Sequence, residues 1–319
     1  MPCRIDVRAA VGLATCFAVV LTASSAQGAD GEPSEAPPPD ATPSPAPDPR
    51  AASSPPSSPG DRAVLEIDPI ADGSLIVGAA AFAAILDLVN GTGEIRPQQI
   101  SPSFDRSQLL GIDRGAVSQT VDSHARLYSN LGIIAAGAFA AIDPVLSGFR
   151  EKNVHSGIVD AVIYAEAISV TWGVTNLVKM AVRRPRPQAY IDAETHKGDP
   201  TYSNSDTDSS LSFFSGHAAI TATISSTATY LAFLRSPQSA RPWITLGVGT
   251  ALTTFVSVER VRGGAHFPTD VMAGAIAGAG IGVLVTHLHR TEDPAKRRVW
   301  VAVSPERANG GTLDLGGIF

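Results

Sequence analysis

Six apolar stretches, each close to twenty residues long and punctuated by Gly, Pro, Asn and Asp, dominate the chain beyond residue 63 and restrict it to packed helices. They fall at about 69–90, 118–141, 156–182, 215–235, 242–258 and 268–289. Ala and Gly are abundant in them and aromatic residues make up only 6% of the chain, a composition suited to closely approaching helices. The expected fold class is all-α, a bundle of about six helices. Weak alternation over 299–303 and 312–315 predicts a small hairpin at the C-terminal end.

The residues ahead of the bundle differ in kind. Arg4 and Arg8 precede an apolar run over 9–23 and then small residues, which reads as a secretory signal peptide over 1–28, cleaved after Ala26 or Gly28. Residues 29–62 are dense in Pro, Ser, Ala and Asp and cannot bury enough apolar surface to fold, so they read as a disordered linker. Cys3 and Cys16 both lie in the signal segment, so a mature chain would carry neither disulfide nor thiol chemistry. One helical domain is expected over 63–319.

Three short segments carry the chemistry. The first holds Lys179, Arg186 and Pro187, the second Ser215, Gly216 and His217, the third Arg260, His266 and Asp270. Fixed cations suit the non-bridging oxygens of a phosphate ester, Arg through forked contacts and Lys as a point charge. Ser215, Gly216 and His217 open an apolar helix, where free N–H groups and the dipole attract an anion. His266 precedes Asp270 by four residues with Pro268 between them, which places Asp270 in the first turn of the last long helix and His266 in the loop before it. Asp270 would there bond one imidazole nitrogen and leave the other for the substrate. The active site is therefore expected at one end of the bundle.

Lys, six residues, Arg-Pro; then Ser-Gly-His; then Arg, five residues, His, three residues, Asp: this pattern resembles the type 2 phosphatidic acid phosphatase and vanadium haloperoxidase superfamily, over roughly 70–290. Phe214 and Glu259 depart from that family's pattern, which has Pro and Ser at those places; Glu259 would add a carboxylate near the phosphate. The resemblance implies that His266 attacks phosphorus and becomes a phosphohistidine, that His217 protonates the leaving alcohol, and that Asp270 orients His266. Lys179, Arg186, Arg260, Ser215 and Gly216 would hold the phosphate. It implies no metal and no cofactor, save vanadate in a haloperoxidase.

The leading expectation is thus a metal-independent phosphatase acting on phosphomonoesters, with lipid phosphates or pyrophosphates as alternatives within the class. A vanadate-dependent haloperoxidase and a non-catalytic membrane or binding bundle are the competing readings. Arg183 and Arg184 fall outside the motif and read as surface or supporting charges. Gly278, Gly280 and Gly282 imitate a dinucleotide fingerprint, but lie inside a helix, where Gly274, Gly278 and Gly282 serve close packing. His287 and His289, two apart, point to different sides of a helix and do not form a metal pair. Residues 188–213 form a long polar loop, expected to act as a lid.

A net charge of −6 gives no reason to expect nucleic acid, and nothing in the sequence fixes an oligomeric state. The apolar stretches approach the roughly twenty residues that cross a bilayer, yet Asp87, Asp160, Glu166 and Asn176 are costly against lipid. An exported amino end followed by three crossings would also place Lys179 on the cytoplasmic side. These points favour a soluble or peripherally attached protein of the periplasm or cell envelope, with an integral membrane protein facing its site outward as the alternative.

Overall fold

The computed structural model describes residues 64–101, 103–291, 299–306 and 310–317. The expected signal segment and linker lie outside them. Six long helices and one short one follow in order: α1 Pro69–Gly91, α2 Ala125–Arg150, α3 Val154–Val182, α4 Pro187–Thr195, α5 Gly216–Arg235, α6 Arg241–Arg262 and α7 Pro268–Leu288. β1 (Val64–Leu65) pairs antiparallel with β2 (Arg290–Thr291), and β3 (Val299–Glu306) with β4 (Gly310–Gly317).

Local chemistry sets the helix ends. Asp68 caps α1, accepting from the Ile70 and Ala71 amides, with Pro69 opening the helix. Asn153 caps α3. Two expectations shift. The second helix starts at Ala125 rather than near 118, because Arg114–Val117 forms a 3-10 turn, and it continues through Pro144 to Arg150. The presumed loop after Pro187 begins with the short α4, which Pro187 opens.

Successive long helices run antiparallel. The C-terminal ends of α1, α3 and α6 meet the N-terminal ends of α2, α5 and α7: Asp122 N donates to Arg262 O, Ser215 N to Asp270 O, and Thr207 Oγ1 to Ile95 O. β1 and β2 lie at the opposite end. Small residues set the spacing of the centre, where Ala136, Ala140, Ala167 and Ala228 pack around Ile163 and Leu231. The tightest crossing joins α5 and α7. A Cβ at Gly278 would collide with the Ala219 backbone, and one at Gly274 would sit 2.6 Å from Ser215 O, so the glycine stripe is a packing device.

The polar residues that counted against a bilayer have partners on neighbouring helices. Asp87 accepts from Trp172 Nε1 at 3.0 Å and from Asn176 Nδ2 at 2.8 Å. Asp160, fully buried, is held by Arg235, and Asp143 by Arg150 and Arg241. The outward faces are apolar instead: Val77, Leu88, Ile134, Phe149, Val248 and Ile276 are each more than half exposed. Large apolar side chains exposed along several helices mark a surface that meets lipid or a partner. Four stretches, Pro69–Gly91, Ala125–Arg150, Val154–Thr195 and Pro268–Leu288, are long and apolar enough to cross a membrane.

Candidate functional site

All three segments come together at one end of the bundle. Lys179 stands in the last turn of α3, Arg186 just before α4, His217 in the first turn of α5, Arg260 in the last turns of α6, and Asp270 in the first turn of α7. His266 lies in the connection between α6 and α7. That connection turns at Gly264, whose φ of +65° and whose approach to Val121 favour glycine. Arg183, left-handed at φ 50°, ends α3 and swings Arg184 and Arg186 back across the bundle.

His266 is buried, and its Nδ1 lies 2.7 Å from the carbonyl oxygen of Ser212. A carbonyl only accepts, so Nδ1 carries the proton and Nε2 keeps its lone pair. Burial first, and then the charges of Arg186, Arg260 and Lys179, holds the imidazole well below its ordinary pKa. The ring is therefore neutral and nucleophilic at physiological pH. Three cations therefore act on this one histidine.

The expected bond from Asp270 to that ring is not the one formed. Asp270 Oδ2 lies 3.9 Å from Nδ1, and it accepts instead from Ser212 Oγ at 2.5 Å and from Phe267 N at 2.9 Å. The reason is local: a carboxylate in the first helical turn reaches back to the free amides ahead of it. Asp270 thus fixes Ser212, whose own carbonyl fixes His266. The Ser215 hydroxyl caps α5, accepting from Ala218 N at 3.4 Å, which leaves its own O–H able to donate. Gly216 keeps α5 close to α3, since a Cβ there would lie 3.3 Å from Thr175 and 3.9 Å from Lys179 Nζ.

His217 Nε2 meets Asn130 Oδ1 of α2 at 2.9 Å, which sets the angle of the ring. Buried Arg260 leaves its Nε without a partner, as a group reserved for an anion would. Glu259 turns away from the cations, pairing with Arg262 at 2.8 Å, and Arg262 continues to Asp122. Phe214 is buried.

Several participants carry no motif. Arg184 donates to Asp270 Oδ1 at 2.6 Å and to Asp113 Oδ2 at 2.8 Å, and lies 4.0 Å over the ring of Phe267. It is a supporting charge, as expected, and it locks the α7 turn. Arg126 adds charge felt by Arg186 and Arg260. Asp208, in the 3-10 turn Thr207–Ser210 of the expected lid, meets Arg186 Nη2 at 2.5 Å, while its carbonyl takes Nε at 2.8 Å. A loop carboxylate thereby sits against a phosphate-binding cation.

Residues 160–294 match the family model described as the PAP2 superfamily, and all three segments lie within that match. A solved structure, a transmembrane PAP2-type phosphatidylglycerolphosphate phosphatase from Bacillus subtilis, is similar at 19% identity and a TM-score of 0.40, covering 68% of this chain and 94% of that one. No curated protein matches the chain.

Proposed function

We propose that the chain is a PAP2-type phosphatase, an integral membrane enzyme that hydrolyses lipid phosphomonoesters through a phosphohistidine at His266. The carrying observation is the buried, neutral His266 ringed by Lys179, Arg186 and Arg260. These cations would hold the non-bridging oxygens and stabilise the charge that builds in the transition state. His266 Nε2 attacks phosphorus, the bond from phosphorus to the ester oxygen breaks, and His217 gives that oxygen its proton to release the alcohol. Water then attacks the phosphorus, His217 takes up its proton, the P–N bond breaks, and inorganic phosphate leaves with His266 restored.

A lipid substrate fits the surroundings. An apolar groove of about 420 Å³ runs between α6 and α7, lined by Val258, Val261, Pro268, Val271 and Met272 among others. Val261 adjoins Arg260 in the chain and Pro268 is two residues from His266, so an acyl chain in the groove would reach the phosphate site from the exposed apolar belt. Phosphate release from long-chain phosphatidate should exceed that from a short-chain, water-soluble analogue by about tenfold or more in kcat/KM, since two buried methylenes suffice for that. Equal rates on both would reject the lipid assignment.

In a bundle that spans, both ends of the helical region leave opposite the site, so a cleaved export signal and an outward site exclude one another. Arg150, Lys152, Arg235, Arg241 and Arg290 sit at the far end, but Arg96, Arg106, Arg114, Arg183, Arg184, Arg186 and Lys197 lie in the connections at the site end, so the balance of Lys and Arg does not support an outward site.

Asp208 would have to yield Arg186 when phosphate binds. Asp208→Asn removes a competing charge whose hydrogen bond is worth about 1.5–3 kcal/mol. KM should fall roughly tenfold, with kcat little changed. An increased KM would mean that Asp208 positions Arg186 rather than competing for it.

A further inference from the structure

Away from the phosphate site, at the C-terminal end of α7, His289 meets two carboxylates brought from distant parts of the chain. Its Nε2 lies 3.5 Å from Asp72 Oδ2 in the first turn of α1 and 3.3 Å from Glu166 Oε2 in the middle of α3. The three ligand atoms all lie within 4.8 Å of one another. Nineteen residues of α7 separate His289 from Asp270, roughly 28 Å along the helix, so this cluster is distinct from the catalytic centre.

We propose that Asp72, Glu166 and His289 bind a zinc ion that ties α1, α3 and the end of α7 together. Three observations carry it. First, His289 Nδ1 lies 2.8 Å from Val285 O, which puts a proton on Nδ1 and directs Nε2 at the carboxylates, where a metal would have to displace the proton that the two acids hold on it. This is the arrangement in which a metal-bound histidine is held by a backbone carbonyl. Second, Glu166 is 4% exposed and its Oε2, aimed into the cluster, has no hydrogen-bond partner. A proton on His289 Nε2 would reach that oxygen only as a long ion pair at 3.3 Å, whereas a metal ion between the three groups would bond it directly. Third, both spacings from the imidazole fit: bonds of about 2.0–2.1 Å to a tetrahedral zinc place neighbouring ligand atoms about 3.4 Å apart, against the 3.3 and 3.5 Å observed, while the two carboxylate oxygens lie within 4.8 Å of each other.

One imidazole with two carboxylates is a zinc-like donor set, since magnesium and calcium prefer oxygen alone. The two carboxylates balance the charge of the ion, and water completes the tetrahedron. His287 takes no part; its Nδ1 meets the Tyr230 hydroxyl at 2.8 Å.

The test uses the full chain in detergent, without added histidines, stripped with a chelator and then dialysed against Zn²⁺. Elemental analysis should find about one zinc per chain, and the melting temperature should rise with zinc. Cobalt loaded in its place should show the visible absorption of a four-coordinate site. Glu166→Gln and His289→Gln should each lose the metal, while His266→Ala keeps it. Wild-type protein that binds well under one equivalent and gives no cobalt spectrum overturns the proposal, whether or not the variants fold. Metal retained by both cluster variants and lost from His266→Ala overturns it too, because the ion would then belong to the phosphate site.

Discussion

His266→Ala should abolish turnover while leaving the protein folded. Removing a nucleophile that no neighbour replaces costs on the order of 10⁵–10⁶-fold in kcat, equivalent to about 7–8 kcal/mol of barrier. The structural loss is far smaller. The ring makes one hydrogen bond, to Ser212 O, and an orphaned carbonyl costs about 1–3 kcal/mol. Single-turnover rates should therefore collapse on every substrate, with the melting temperature lowered by only a few degrees. Residual turnover within a hundredfold of wild type would assign the attack to another group.

His217→Ala should produce a loss that depends on the leaving group. General acid catalysis contributes roughly 10²–10⁴-fold when the departing oxygen is a poor leaving group. An alkyl alcohol needs the proton, whereas p-nitrophenolate departs as an anion. The variant should therefore lose about 10²–10⁴-fold on an alkyl phosphate and much less on p-nitrophenyl phosphate, compared by single-turnover rates. His266→Ala, by contrast, should damage both alike. Equal losses for His217→Ala would make the residue a phosphate ligand, and its hold by Asn130 a matter of binding geometry.

Much of this arrangement was legible in the sequence because it rests on local signals. Helix starts at Pro69 and Pro268 follow from a residue that fits the first helical position, whereas α4, which Pro187 opens, was hidden in a polar segment read as loop. The cations and histidines were legible because three short segments repeat, in order, the pattern of a known family. Asp113, Asn130, Arg126 and Asp208 were not, since each arrives from a different connection or helix and has meaning only once the ends of the bundle meet. Asp270 was found with the wrong partner: chain spacing allowed a bond to the ring, but the free amide of Phe267 and the Ser212 hydroxyl compete for its oxygens.

The membrane question turned on pairing, which one dimension does not display. Asp87 and Asp160 look costly in a list of apolar residues and cease to be so beside Asn176 and Arg235. His289 presents the reverse case. Read beside His287 it promised nothing, and its partners stand at positions 72 and 166.

The central claim, covalent transfer to His266, is tested most directly by mapping the intermediate. The enzyme would be mixed with substrate carrying a labelled phosphate, quenched in alkali within a turnover, digested and sequenced by mass spectrometry. The account predicts a single label on His266, stable to base and lost in acid, and absent from His266→Ala. A label on any other residue, or phosphate released in the first turnover with no labelled protein at any quench time, would contradict it.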